Sequence, residues 1–65
     1  MVLTPREKEV IAYLQYGLTT REIAIRLNIA RATVRAHVSS IKSKLNARNI
    51  AHAVALYLGK KDTAL

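Results

Sequence analysis

The residues best suited to chemistry in this chain are cations spaced among small side chains at positions 31–43. Arg31, Arg35 and Lys42 are interleaved there with alanines and serines. Cationic side chains attract anionic groups, and an arginine guanidinium donates paired hydrogen bonds to a phosphate or to a guanine edge. The pattern therefore favours binding of a polyanion over catalysis.

The charge of the whole chain agrees with that interpretation. Lysine and arginine number 11 and aspartate and glutamate 4, so the formal net charge is +7 at pH 7. No acidic residue lies between Glu22 and Asp62. That interval holds the bases Arg26, Arg31, Arg35, Lys42, Lys44, Arg48, Lys60 and Lys61. So pure a basic stretch is expected on a surface that meets a polyanion, and the alternative is a solvated basic face.

Composition and length exclude several classes of protein. The chain has no cysteine, which excludes a disulfide framework and a thiolate metal site, and His37 with His52 alone does not make a zinc site. A chain of 65 residues is too small for an ordinary enzyme. Its apolar runs are far shorter than the roughly 20 residues that span a bilayer, and no signal peptide opens it. We expect a cytoplasmic, nucleoid-associated protein that is not an enzyme and uses no metal, cofactor or membrane.

Capping residues and hydrophobic periodicity divide the chain into four helices. Thr4 and Glu7 complete a capping box, and Pro5 between them suits the first helical position. Thr19 and Glu22 repeat the capping box. The predicted helices cover 5–16, 20–27, 31–45 and 50–58, with a frayed tail at 60–65.

The predicted helix ends fall at residues that tolerate a left-handed backbone. Gly17, Asn28 and Asn46 are such residues, while Asn49 caps the fourth helix and Gly59 closes it. A 3.6-residue period predicts the buried face of helix 3, which consists of Val34, Val38, Ile41 and Leu45. The other core candidates are Val10, Ile11, Tyr13, Leu14, Ile23, Ala24, Leu27, Ile29, Ala53, Val54 and Tyr57.

Helices 2 and 3 together predict a helix-turn-helix, because a three-residue turn joins a short helix to a longer basic one. Ala24 is small enough to let the two helices approach. The outward face of helix 3 is then Arg31, Ala32, Arg35, Ala36, Ser39, Lys42 and Ser43. Small side chains keep that face slim enough for a DNA major groove about 12 Å wide. They are Ala32, Ala36, Ser39 and Ser40.

Four stretches of the chain carry a resemblance to a known family. They are L-T-P-R-E-K-E-V, G-L-T-T-R-E-I-A-x-R-L-N-I, A-T-V-R-A-H-V-S-S-I-K-S-K-L and R-N-x-x-x-A-V. In this order they resemble the DNA-binding domain of LuxR/FixJ-type (GerE-like) bacterial transcription regulators. The resemblance implies one all-α domain over residues 1–65, a LuxR-type four-helix helix-turn-helix of the winged-helix-like superfamily. It also implies that helix 3 enters the major groove and that helix 4 supplies a dimer contact.

The same resemblance assigns roles to individual residues. Arg35, Ala36 and Ser39 match positions that meet base edges. Thr20, Thr33 and His37 match positions that face phosphates, although His37 is equally suited to packing at the edge of the core. Charge and place add Arg31, Lys42 and Lys44 as further phosphate contacts. Arg26 and Arg48 are interpreted as solvated or paired with Glu22 or with helix ends.

Two residues depart from the family pattern at the ends of helix 3. The family usually has serine or threonine where Ala30 stands, so we expect the start of helix 3 to lack about 1 kcal/mol of capping. The family usually has glycine where Asn46 stands, and asparagine is the best substitute for that backbone shape.

Helix 4 carries a second apolar stripe that we interpret as a dimer contact. Ala51, Ala55 and Leu58 form it, whereas Ala53 and Val54 match core positions. An apolar stripe left facing water favours contact with a symmetry mate. The patch is small, so we expect a weak homodimer, and the alternative is that these are ordinary surface residues.

Three functions are compatible with these features. The first is a sequence-specific regulator of transcription that binds double-stranded DNA, either free-standing or as the effector domain of a longer response regulator, with RNA polymerase as a further candidate partner. The second is a sigma-factor-like region, which normally lacks a helix like 50–58. The third is a protein-interaction module, which an acidic or apolar outward face on helix 3 would have favoured.

Overall fold

Four α-helices make up the regular structure of the chain. The computed structural model describes residues 3–59, and the predicted tail at 60–65 lies outside the described residues. The helices are α1 (Pro5–Gln15), α2 (Thr20–Leu27), α3 (Arg31–Leu45) and α4 (Ile50–Gly59), and no strand occurs between residues 3 and 59. The predicted all-α, four-helix class is confirmed. Two ends differ from the prediction, since α1 stops before Tyr16 and Gly59 belongs to α4.

The helix starts are capped as their residue types require, with one exception. The Thr4 hydroxyl accepts the Glu7 N–H at 3.1 Å, and Glu7 Oε1 accepts the Thr4 N–H at 2.8 Å. Thr19 and Glu22 form the same capping box at the start of α2, with distances of 3.2 and 2.8 Å. At the start of α3, Ala30 has no side-chain hydrogen bond to offer.

The first three helices end in left-handed residues, as predicted. Gly17, Asn28 and Asn46 have φ angles of +87°, +57° and +55°. In each case the next backbone N–H bonds back to a carbonyl in the last turn, which satisfies an otherwise orphaned acceptor. The three bonds are Leu18 N–H to Tyr13 O (3.1 Å), Ile29 N–H to Ala24 O (3.0 Å) and Ala47 N–H to Lys42 O (2.8 Å).

α3 is the central element of the core, because it contacts each of the other three helices. Val34, Val38 and Ile41 are buried along it. They pack with the buried residues Leu3, Val10, Ile11, Ile23, Ala24 and Ala53. Residues 28–30 join α2 to α3, and the buried Ala24 allows the two helices to lie close. The predicted helix-turn-helix is thereby confirmed, and the core fixes which side of α3 remains outside.

Candidate nucleic-acid interface

The surface of α3 consists of three faces with different surroundings. Successive residues of a helix are about 100° apart, so positions three or four apart share a face. One face is the buried row Val34, Val38 and Ile41. A second lies against α1, where Ser40 and Lys44 bond to Glu7. The third points outward, and we call it the outward face: it consists of Arg31, Ala32, Arg35, Ala36, Ser39, Lys42 and Ser43.

The outward face is exposed, basic and slim. Arg35, Ala36 and Ser39 are all exposed, so the three residues predicted to meet bases lie together on one open surface. α3 contains no acidic residue, and its other outward side chains are short apart from Arg31 and Lys42. Such a face can enter a groove of about 12 Å and offer cations and small hydrogen-bonding groups to its floor.

The residues predicted to contact phosphate do not share one environment. Arg31 and Thr33 are exposed, whereas Thr20, His37 and Lys42 are half-buried. Thr20 is the first residue of α2, where backbone N–H groups and the helix dipole favour an anion. The roles of these five residues stay predictions.

Lys44 is engaged inside the protein. Its Nζ donates to Glu7 Oε1 at 2.7 Å, and its side chain is 23% exposed. The ammonium is therefore partly neutralised before any DNA arrives, and its predicted phosphate contact stays a prediction. The placement of Ser40 with the slim outward side chains was wrong, because its hydroxyl turns toward α1 and donates to Glu7 Oε2 at 2.6 Å.

Sequence reasoning predicted the capping role of Glu7 but missed its contacts with α3. Glu7 is 4% exposed and joins the start of α1 to the second half of α3. The Lys44 ammonium, followed by the hydroxyl of Ser40 and the N–H of Thr4, lowers the pKa of Glu7 from 4.5 to about 2. The sequence offered one indication of these contacts. A capping box uses one carboxylate oxygen of Glu7 and leaves the second oxygen in need of another hydrogen-bond donor.

Glu22 occupies the same capping position in α2 but stays at the surface. The backbone N–H of Thr19 lowers its pKa below the ordinary value, and the nearby charge of Arg26 acts in the same direction. The Arg26 guanidinium lies 5.9 Å from the centroid of the Tyr13 ring. Glu22 thus has local partners only, whereas Glu7 reaches a second helix.

Among residues 3–59, two large apolar side chains are strongly exposed away from the outward face, in addition to Leu58 on α4. Tyr16, at the end of α1, is 77% exposed, and Ile25, on α2, is 71% exposed. Ile25 borders a shallow open cavity with Leu18, Glu22 and Arg26.

α4 leaves its predicted dimer stripe open. Ala51, Ala55 and Leu58 are exposed, while Ala53 is buried in the core. The start of α4 is capped by Asn49 Oδ1, which accepts the His52 N–H at 2.8 Å. His52 Nδ1 in turn accepts the Arg48 N–H at 3.0 Å. That bond commits one ring nitrogen of His52 to helix capping.

Residues 3–59 lack two other kinds of site. No group of three or more metal-ligating side chains lies close enough together there to hold an ion. None of the helices within that range has the length and apolar character needed to cross a membrane.

Comparison with known families and proteins gives a consistent result. Residues 1–57 match the family model described as GerE, bacterial regulatory proteins, luxR family. The chain is 53% identical over 55 residues to the transcriptional regulatory protein LnrK of Bacillus subtilis (strain 168), covering 85% of this chain and 24% of that protein. It is 40% identical over 60 residues to the nitrate/nitrite response regulator protein NarP of Escherichia coli (strain K12), covering 92% and 28%.

A solved structure gives the same fold. The response regulator ChrA of a heme-sensing two-component system superposes with a TM-score of 0.84 at 32% identity, covering all of this chain and 31% of ChrA. The chain spans about a quarter of the length of the curated relatives it matches.

Proposed function

Since this chain belongs to the luxR family of bacterial regulatory proteins, we propose that it binds double-stranded DNA sequence-specifically and so regulates transcription. Among the relatives named above, LnrK is a transcriptional regulatory protein, and NarP and ChrA are response regulators. The observation that carries the proposal is the outward face of α3, where Arg35, Ala36 and Ser39 lie exposed together on a helix without acidic residues.

α3 is the element that reads the DNA. A helix about 10–12 Å across fits a major groove about 12 Å wide when its leading side chains are short. Arg35 donates two hydrogen bonds to O6 and N7 of a guanine. The methyl group of Ala36 contacts a thymine methyl, and the Ser39 hydroxyl bonds to a neighbouring base edge.

Contacts to phosphate position the helix without reading sequence. Thr20 presents the start of α2 to the backbone, and Thr33 and His37 meet it beside α3. Arg31 and Lys42 add cations that release condensed counterions, so binding weakens as salt rises. Lys44 contributes least, because its ammonium is already paired with Glu7.

α4 joins two copies on the DNA. The exposed stripe of Ala51, Ala55 and Leu58 forms a small symmetric contact. Two recognition helices then enter successive turns of the major groove, about 34–36 Å apart. In the cell the dimer acts at the nucleoid in the cytoplasm, with RNA polymerase as its further partner.

The test is selection of bound sequences from a random double-stranded DNA pool at about physiological salt, where non-specific binding is suppressed. We expect an enriched motif with two related half-sites one helical turn apart. An enriched single half-site would keep the DNA-binding function and remove the dimer. A folded protein that enriches no sequence at any salt would contradict the proposal and favour the protein-interaction module.

A further inference from the structure

A buried carboxylate ties the reading helix to the rest of the fold. Both oxygens of Glu7 receive bonds from α3, at 2.6 Å from Ser40 and at 2.7 Å from Lys44. We propose that Glu7 is a positioning residue for sequence recognition, which fixes the rotation and axial position of α3 so that its outward face meets the bases in register. This inference rests on the proposed function and names a residue that touches no DNA.

The apolar core fixes which side of α3 is buried, but it sets the exact rotation of the helix less sharply than directional bonds do. Burial of Val34, Val38 and Ile41 stabilises any arrangement that keeps them from water, because the hydrophobic effect has no preferred direction. Hydrogen bonds are directional and weaken steeply when bent. Ser40 and Lys44 are one turn apart on α3, so two directional bonds to one carboxylate fix both the rotation and the height of the helix.

The carboxylate is itself held in place. Glu7 Oε1 also accepts the Thr4 N–H at 2.8 Å, so the capping box of α1 sets where the two oxygens lie. α3 has no comparable polar anchor at its own start, since Ala30 offers no side-chain cap. Glu7 therefore supplies a directional contact between α1 and α3.

Small rotations of α3 matter for reading. A rotation of about 20° moves an atom about 6 Å from the helix axis by about 2 Å. Hydrogen bonds to base edges tolerate only about 0.5 Å of variation in length. Contacts to phosphate lose less, because charge attraction falls off gradually with distance. Loss of the Glu7 contacts should therefore lower sequence preference more than general DNA affinity.

The chain contains its own control for this idea. Glu22 makes the same capping box as Glu7, but within residues 3–59 its hydrogen bonds go only to Thr19. Glu7→Gln and Glu22→Gln both keep an amide oxygen for the cap and both raise the net charge by one. Electrostatics alone predicts that both variants bind DNA more tightly, and Glu7→Gln also releases Lys44 toward phosphate. Positioning predicts a loss of preference in Glu7→Gln only.

The experiment measures affinity for the enriched sequence and for a random duplex of the same length, with folding verified by circular dichroism. We expect Glu7→Gln to lower the ratio of the two affinities by about tenfold, equivalent to about 1.4 kcal/mol, and Glu22→Gln to change it by less than about twofold. An unchanged ratio in a folded Glu7→Gln protein would overturn the inference.

Milder variants keep the test decisive if Glu7→Gln does not fold. Ser40→Ala removes one bond and leaves the capping box and the ion pair, and we expect a ratio lowered by about threefold. Lys44→Met together with Ser40→Ala should lower the ratio further, because both bonds from α3 to Glu7 are then lost. A ratio equal to wild type in both folded proteins would also overturn the inference.

A readout without DNA separates this inference from the proposed function. Amide hydrogen exchange in α3 should accelerate in Ser40→Ala and Glu7→Gln but not in Glu22→Gln. Exchange that is equal in all of them would contradict positioning by Glu7. If exchange in α3 accelerates in these two variants as expected, but the wild-type chain prefers no DNA sequence, only the proposed function is contradicted.

Discussion

Arg35 and Lys44 are cations on the same helix, yet their surroundings give them different roles. Arg35 is exposed on the outward face of α3, whereas Lys44 is 23% exposed and paired with Glu7. Periodicity within one helix predicted the place of Arg35 correctly. The partner of Lys44 lies 37 residues away in the chain, and no local pattern contains that information.

Removal of the Arg35 guanidinium should affect sequence preference. We expect Arg35→Ala to cost about 1–3 kcal/mol on the selected sequence and much less on random DNA, because paired bonds to guanine are lost. Competition titrations with both duplexes measure the loss of affinity for each. Lys8→Ala, at an exposed position of α1, removes the same charge and serves as the control. Equal losses on both duplexes would mean that Arg35 touches only phosphate.

Lys42 should behave in the opposite way. We expect Lys42→Ala to weaken binding to all sequences and to lower the slope of log affinity against log salt by about one, because one phosphate contact and its released counterion are lost. Titrations at several salt concentrations give the slope. A slope equal to wild type would remove Lys42 from the interface.

The low pKa of Glu7 predicts a loss of stability in acid. As the pH falls from about 4.5 to about 2, the unfolded chain takes up a proton before folded Glu7 does, so acid favours unfolding. The stabilisation present above that range is on the order of 3 kcal/mol. Denaturant unfolding of wild type and Glu7→Gln from pH 2 to pH 7 measures it, with exposed Glu9→Gln as control. A stability difference that persists unchanged at pH 2 would contradict the prediction.

At the scale of helices, ends were easier to predict than contacts. The caps at Thr4 and Thr19 and the left-handed residues Asn28 and Asn46 depend only on neighbouring residues, and all were predicted. The tilt of Ser40 toward α1 depends on how two helices pack. The small size of Ser40 suited a groove-facing role, so sequence alone grouped it with the wrong face.

The missing cap of α3 offers a direct test of local stabilisation. Ala30 already has an extended backbone, with φ −69° and ψ 149°, which is the conformation of a capping residue. We expect Ala30→Ser to raise the free energy of unfolding by about 1 kcal/mol, because the new hydroxyl accepts a free N–H of α3. Thermal unfolding measures the change. Ala55→Ser, at an exposed position in the middle of α4, should instead lower stability slightly. An equal gain of stability in both variants would argue against capping.

At the scale of the molecule, charge and apolar surface are segregated. α3 carries four cations and no acid, while α4 between its ends carries neither. Under the proposed function, DNA binds the first surface and a second copy of the chain binds the second. Composition predicted both features. Whether the apolar stripe of α4 forms a contact depends on a second chain, and the sequence of one chain does not answer that question.

A charge on the α4 stripe should separate dimerisation from DNA reading. We expect Leu58→Glu to abolish cooperative binding to DNA with two half-sites, because it buries a carboxylate at the symmetric contact. Affinity for a single half-site should stay within about threefold. Gel-shift titrations on both DNAs measure this, and Ile25→Glu, which adds the same charge to an exposed site on α2, should keep cooperativity. Cooperativity retained in Leu58→Glu would exclude the stripe from the contact.

The three-way division of α3 bears on how such a protein acquires a new target. The side chains proposed to meet bases project from one side, while those that maintain the fold project from the other two. Exposed substitutions of this kind usually change stability by less than about 0.5 kcal/mol. If Arg35, Ala36 and Ser39 read the bases as proposed, substitutions at these three positions can change the operator that the domain prefers with little effect on its folding.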